Sequence, residues 1–403
     1  MRVLISGAGI AGPALAHWLH RYGISATVVE RSPAPRPGGQ AVDVRGAARL
    51  VVERMGLMPQ VRAACVDERG IAMVDARGRW TSRMPADAFG GEGFVAEIEI
   101  SRGDFARLLY EATRDDVEYR FGDRVVALHQ TPEDDGGGVT VDFAGGARER
   151  FDVVVGADGV HSGVRALAFG PESSYVHQLG GYTAYFSVPD PGDLGHWYLM
   201  YNAPGGLAAG IRPEHGGTAK AYLSFTSSRR GLERAPKDEQ QRVLAERMSG
   251  AGWRVPALLA AMPAAPDFFF DSLSQVRVER WSRGRVVLLG DAGYCGSPLA
   301  GLGTSMALVG AHVLAGELAG SDGDVRAACA GYQDRLRDYV AAGLELPPGG
   351  IRGYAPRTRT MIRLRALSMR MMPHWPMRQL LAAQFAKAGA FELPDYAPVL
   401  PSR

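Results

Sequence analysis

The chain has 403 residues, 46% of them apolar and 22% charged, enough to bury a large core and to exclude a disordered chain or a disulfide-stapled miniprotein. Its formal net charge of +2 is too near balance for a nucleic-acid binder. Cys65, Cys295 and Cys329 lie far apart, with no CxxC and no metal-ligand spacing, which fits a reducing cytoplasm and predicts no metal site. The N-terminus shows no cleavable signal pattern, so a cytoplasmic protein is expected.

Arg2–Ser6 reads as a short buried strand, Ala11–Tyr22 as a helix, and Ser25–Val29 as a second strand ending at Glu30. Residues 31–46 form a Pro/Gly-rich loop, Ala47–Met55 a helix stopped at Gly56, and 71–98 short strands and turns. Arg102–Thr113 is a helix with Phe105, Leu108 and Leu109 at helical spacing, and Val117–Gln130 and Val139–Phe143 alternate as strands. Phe151–Val155 is a continuous apolar run, the pattern of a strand covered on both faces.

Between 173 and 282 the texture changes. Tyr182–Val188, His196–Tyr201 and Ala219–Thr226 alternate and are aromatic, which predicts an antiparallel sheet, and a polar helix follows at Lys237–Met248. Arg285–Leu289 returns to the buried-strand type. Leu299–Gly320, whose only charged residue is Glu317, reads as a helix buried in a large domain rather than a membrane span. Residues 323–345 are helical and the remainder is helix and loop. The prediction is an α/β chain: a parallel-sheet domain over 1–172 and 283–322, with 71–98 leaning to the other side, a sheet domain at 173–282, and C-terminal helices over 323–403.

Three motifs carry chemistry. Gly7-Ala8-Gly9-Ile10-Ala11-Gly12 follows a strand, opens a helix, and precedes a strand ending in Glu30, eighteen residues beyond Gly12. That context is the dinucleotide fingerprint: Gly7 for the tight turn, Gly9 for approach of a pyrophosphate, Gly12 for close helix–strand packing. The helix N-terminus offers free N–H groups to phosphates, Pro13 is tolerated in the first turn, and Glu30 suits ribose hydroxyls. The second motif is Val153–Arg165, with Gly156-Ala157-Asp158-Gly159. The third is Val286–Ala292 with Asp291, continuing through Pro298-Leu299-Ala300-Gly301-Leu302-Gly303 to a helix beginning near Thr304. Each is a buried strand ending in a small residue and an aspartate.

In order and spacing this trio resembles the fingerprints of the class A flavin monooxygenases, the p-hydroxybenzoate hydroxylase-like family, over most of the chain. The resemblance implies a Rossmann-type FAD-binding domain with an inserted antiparallel-sheet substrate domain and a C-terminal helical region. It implies non-covalent FAD, with Asp291 at the ribityl chain, Asp158 as an anchor with an NADPH-linked role, and Arg102 near the pyrophosphate and ribityl. Gly38–Asp43 resembles the segment beside the flavin in the tetracycline-inactivating and antibiotic-tailoring branch, which adds Gln40 and Asp43. The implied cofactor contacts are thus Gly7, Gly9, Ile10, Ala11, Gly12, Glu30, Arg31, Gln40, Asp43, Arg102, Asp158, Asp291, Pro298, Gly301, Gly303 and Thr304.

The implied reaction is hydroxylation of an aromatic or polyketide-like small molecule by O₂ through a C4a-hydroperoxyflavin, with NADPH or NADH as a transient donor. An oxidase without oxygen insertion, or a ligand-binding protein of the same fold, is the alternative. A second GxGxxG for a dedicated nicotinamide domain is absent from the sequence. The chain departs from the family pattern in three places: Gly293-Tyr294 stands for the usual Ala-His, Ser305 for an Asn, and Gly310 for an Asp.

Tyr182, Tyr185, Tyr198 and Tyr201 are candidates for an aromatic substrate wall, with sheet core as the bland reading for at least half of the sheet aromatics. No catalytic base stands out. His17 and His20, three apart on a helix, read as packing or surface residues rather than ligands. The stretch from Arg352 to Lys387 has eight basic residues and no acidic one. It reads as a closing helix with Met and Leu on the core and arginines in water. Pro373 and Pro376 argue against a membrane partner, since they interrupt a long surface-lying helix.

Overall fold

The computed structural model describes residues 1–89, 97–132, 137–372, 374, 379 and 391–396. Most of the basic stretch beyond Met372, including Met377, and residues 90–96 lie outside the described residues.

A six-stranded sheet forms the first layer. Its order is Ser282–Arg283, Val286–Leu288, Val153–Gly156, Arg2–Ser6, Ser25–Glu30 and Glu118–Phe121. All neighbours are parallel except the first pair. The central strands are buried on both faces, as runs such as Val153-Val154-Val155 require. The buried helix Gly303–Gly320 packs on Ala11–Arg21 and on Val325–Gly343. No described helix is long and apolar enough to cross a membrane.

Val117–Gln130 does not run as one strand. Glu118–Phe121 joins the parallel sheet, the chain turns at Gly122 with φ +78°, and Val125–Thr131 begins a separate three-stranded antiparallel sheet. Only a residue without Cβ adopts that φ at low cost.

The second large sheet has eight strands. Its order is Tyr294–Cys295, Phe269–Arg277, Val176–Pro189, Thr218–Thr226, Leu207–Pro213, Trp197–Ala203, Gly70–Val74 and Trp80–Pro85. Trp197–Ala203 pairs in parallel with Gly70–Val74, so 70–85 belongs to this sheet. One face packs on Lys237–Met248 and Val255–Ala261 through Phe186, Leu223, Phe225, Leu244 and Leu258. The other face carries Ile71, Met73, Met84, Met200 and Tyr222 and is covered in part by the helix Arg359–Met371.

That last helix corrects one expectation. Met369 is buried as its pattern predicts, but Leu364, Leu367 and Met371 are exposed. Arg365 points inward instead, donating to Asn202 Oδ1 at 2.5 Å and to the Tyr354 carbonyl at 2.6 Å. Two hydrogen bonds from a charged donor to acceptors beneath the helix outweigh the hydrophobic gain of turning the leucines in.

The two sheets are tied by His161, from the loop after Val153–Gly156. Its Nδ1 lies 3.1 Å from Glu172 and its Nε2 3.0 Å from Asp271 on the second sheet. The hydrogen bond to Asp271 outweighs burial, and with Glu172 it lifts the imidazole pKa to about 9. A histidine held above its unfolded value, about 6.5, gives its full stabilisation below that value and loses it as pH rises through about 9. Melting temperature should therefore fall from neutral pH to about pH 9.5 more steeply in the parent than in His161→Gln. Equal slopes would remove the clamp from the stability balance.

Candidate functional site

The glycine loop is built from close approaches. Gly7 has φ +111°, and a Cβ there would meet the Ala157 carbonyl oxygen at 2.5 Å. The second motif is thus the wall behind the first. A Cβ on Gly12 would overlap the Gly7 carbonyl oxygen. The following helix, Ala11–Arg21, has no side-chain cap and no acidic residue in its first turn, with Ile10 at the N-cap. Its N–H groups and positive dipole end are available to an anion.

Glu30 ends the next strand. Its carboxylate accepts from the Ala8 N–H at 2.9 Å, the Ser32 N–H at 2.9 Å and Arg36 at 3.3 Å. Burial opposes its charge, but these bonds outweigh it and hold the pKa below the usual carboxylate value. Arg31 is exposed beside it.

Arg102 opens the helix Arg102–Glu111 and faces the glycine loop. Its backbone N–H donates to the Gln40 carbonyl at 3.0 Å, which pins the 38–43 segment beside it. The guanidinium makes no hydrogen bond or ion pair among the described residues. It is open to water in the cleft yet enclosed by protein. Burial pushes its pKa down, and Asp291 pulls it back. A Cβ on Gly9 would point into the gap in front of it, 3.5 Å from Nη2.

Asp291 lies below the third-motif loop, 3.6 Å from where a Cβ of Gly303 would stand, and burial raises its pKa. Pro298 and Gly301 are exposed and Gly303 and Thr304 half-buried, so the loop leaves an open floor. Gly301 stands next to Asp43, whose Oδ2 pairs with Arg45 at 2.7 Å. Glycine loop, Gln40–Asp43 segment, Arg102, Asp291 and the 298–304 loop therefore enclose one cleft. An unsatisfied guanidinium, a capless helix end and a glycine cradle fit a dinucleotide pyrophosphate, and the buried Asp291 fits a polyol.

Asp158 does something more local. Its carboxylate accepts from the Ser162 hydroxyl and, at 3.1 Å, from the Val164 N–H, capping the turn that opens Gly163–Ala168. It shapes the wall behind Gly7 rather than facing the cleft.

Alternation sorts the tyrosines. Positions 182 and 185 differ by three, so they fall on opposite faces, as do 198 and 201. Tyr182 stacks on Phe270 and donates to the Arg229 carbonyl, and the Tyr201 hydroxyl accepts from the Gly252 N–H. Both belong to the core beneath the sheet, which corrects their place in a substrate wall. Tyr185 and Tyr198 share the other face with Tyr222 and Tyr354, toward the nucleotide-binding side. Tyr222 leans over Gly210, where a Cβ would strike its ring, and its buried hydroxyl has no partner among the described residues. Arg212 lies 4.9 Å from the Tyr198 ring centroid. Tyr222, Tyr354 and Arg212 escaped the sequence reading, although Arg212, a charge alternating with apolar residues in a strand, was a usable signal.

Two departures from the family pattern explain each other. A Cβ on Gly310 would overlap the Tyr294 hydroxyl, which bonds the Tyr332 hydroxyl at 2.6 Å. The absent side chain makes room for the larger ring. The third, Ser305, accepts the Arg45 N–H at 3.1 Å and ties the flavin-side loop to the long helix. Gly310→Ala should lower stability by about 1–3 kcal/mol, the usual cost of overpacking. In a Tyr294→Phe background the same change should cost at least about 0.5 kcal/mol less, because the overlapped atom is gone. Denaturation midpoints of the four proteins test this, and strict additivity would refute it.

A protein-family model described as an FAD binding domain matches residues 1–323. The chain is 43% identical over 358 residues to the uncharacterized protein Rv1260 of Mycobacterium tuberculosis, covering 88% of this chain and 94% of that one. It is 35% identical over 343 residues to a flavin-dependent monooxygenase of Legionella longbeachae, covering 85% and 86%. Among solved structures it matches the tetracycline destructase Tet(51) with a TM-score of 0.82 and 30% identity, over 98% of this chain and 99% of that one.

Proposed function

The chain belongs to the FAD-binding flavoprotein monooxygenase family, and from that premise we propose that it hydroxylates a planar aromatic or polyketide-like small molecule, with NADPH or NADH as a transient electron donor. The observation that carries the substrate class is the sheet face bearing Tyr185, Tyr198, Tyr222 and Tyr354, linked through Arg212, Glu99 and Asp43 to the Gly301 loop. Flat apolar walls with few polar atoms select flat, largely apolar ligands. Similarity to proteins named tetracycline destructases supports a polycyclic ring system of that kind.

The residues of the cleft divide the work. The N–H groups after Gly9 and the Arg102 guanidinium would hold the pyrophosphate of FAD, Glu30 the adenosine ribose, and Asp291 the ribityl hydroxyls. Bound FAD supplies the electron transfer and the activation of dioxygen that a polypeptide lacks. The N-terminal turn of Gly303–Gly320, which has no side-chain cap and no acidic residue, would stabilise negative charge on a reduced flavin bound against it. The tyrosine face would hold a flat substrate by stacking and shield it from water, while the open 298–303 loop would leave room for the isoalloxazine of FAD.

The deciding experiment is turnover under ¹⁸O₂ with a panel of phenolic and polycyclic polyketide compounds and NADPH. One labelled oxygen atom in a product is the expected result. Peroxide as the sole product across the panel would refute hydroxylation in favour of an oxidase.

A further inference from the structure

Five charged side chains run from the second sheet to the third-motif loop. Glu68 precedes the strand Gly70–Val74, and Arg212 lies near the end of Leu207–Pro213. Glu99 stands opposite Asp43 in a small two-stranded sheet, and Arg45 follows Asp43. Arg212 Nη2 lies 2.6 Å from Glu68 Oε2 and 2.6 Å from Glu99 Oε1, and Arg45 pairs with Asp43 at 2.7 Å. The Glu68 side chain is 2% exposed, that of Arg212 10% and that of Glu99 12%. At one end Arg212 covers Tyr198 of the tyrosine wall, and at the other Arg45 bonds Ser305.

Among the described residues three carboxylates face two guanidiniums, so this set, fully ionised, carries one negative charge. Asp43 accepts from Nε and Nη2 of Arg45 at 2.9 and 2.7 Å, and although burial and the facing Glu99 lift its pKa to about 7, that pair leaves it better matched than Glu68. The imbalance falls on Glu68 and Glu99, which share one arginine. Glu68 Oε1 and Glu99 Oε2 are buried with no hydrogen-bond partner among the described residues. A bare ionised oxygen in that setting costs more than a neutral carboxyl.

We propose that Glu68 holds a proton in the resting enzyme and acts as a positioning residue whose ionisation sets the charge that Arg212 presents to the tyrosine-lined cavity. With Glu68 neutral, Arg212 is balanced by Glu99 and Asp43 by Arg45, and the wall is neutral. When Glu68 loses its proton to solvent, the wall becomes negative and repels an anionic ring oxygen. The groups facing Glu68 are Arg212, Glu99, Asp43 and Tyr198. Burial is the main cause that lifts the Glu68 pKa to about 8; Arg212 opposes it, and Glu99 and Asp43 add to it. The assignment of the proton stands on the cluster alone, and only its consequence rests on the cavity being the substrate site.

Infrared difference spectra of the flavin-loaded protein between about pH 6.5 and about pH 9.5 test the assignment. The carbonyl band of one protonated carboxyl should disappear on the alkaline side. It should be missing from Glu68→Gln and kept in Asp43→Asn. A parent protein with no such band, or a band kept in Glu68→Gln and lost in Asp43→Asn, overturns the proposal. Binding of 2,4-dinitrophenolate, anionic throughout this range and read by flavin absorbance, should weaken about tenfold over the same step in the parent and stay flat in Glu68→Gln. Equal weakening in both proteins overturns the coupling to Arg212. No binding at any pH, with the band behaving as expected, counts against the cavity as substrate site and not against the proton on Glu68.

Discussion

Gly12→Ala is expected to yield a colourless protein. A methyl group there would overlap the Gly7 carbonyl oxygen and approach Ile5 Cγ2 at 3.3 Å. Neither neighbour can yield, since Gly7 is pinned by its N–H bond to the Val29 carbonyl at 2.8 Å and Ile5 lies in the central strand. The helix must move away from the strand, and its N–H groups move with it, out of reach of the phosphates. Overpacking alone costs about 1–3 kcal/mol. Losing two or three charge-assisted bonds to a pyrophosphate, at about 1.5–3 kcal/mol each, lowers FAD affinity by at least about a hundredfold. Flavin content after gel filtration is the measurement. Gly250→Ala is the control, because nothing lies within 4 Å of a Cβ there. Stoichiometric flavin in Gly12→Ala would contradict the reading of the loop.

Arg102→Ala should be nearly as damaging by a different route. The fold barely notices the loss, since the guanidinium has no hydrogen-bonding partner among the described residues. FAD binding loses its cation, and buried Asp291 loses the positive charge that opposes its desolvation. One to two charge-assisted bonds correspond to about a hundredfold weaker FAD binding. Arg102→Lys should recover only part, because a point charge cannot bridge two phosphate oxygens as a planar fork does. Titration of apo-protein by quenching of flavin fluorescence decides it, with a thermal midpoint confirming the fold. Affinity within twofold of the parent would remove Arg102 from the site.

The glycine loop and the acids at its strand ends were legible because their determinants are local. Gly7, Gly9 and Gly12 are needed wherever a strand turns straight into a helix over a phosphate, and Glu30 and Asp291 stand at strand ends a fixed distance along the chain. The substrate half was not. Tyr182 and Tyr185 look alike in sequence, and only the parity of a paired strand puts one in the core and the other on the opposite face. Arg365 was expected in water, but its partner Asn202 is brought under the helix from 163 residues away and the Tyr354 carbonyl by the preceding turn.

Composition and motif spacing by themselves determined an α/β chain, its glycine loop and the acids at its strand ends, and the family resemblance of those motifs added the flavin, because backbone conformation and strand-end position are properties of a few consecutive residues. Tertiary structure alone decided which tyrosines share the face covered in part by the last helix, that Gly310 yields its space to Tyr294, and that Glu68, Glu99 and Asp43 must share two arginines. Those relations join residues 16 to 260 positions apart in the paired sites Tyr294–Gly310 and Arg45–Ser305. Contact at such separations is fixed by sheet pairing and helix packing, which no local pattern encodes.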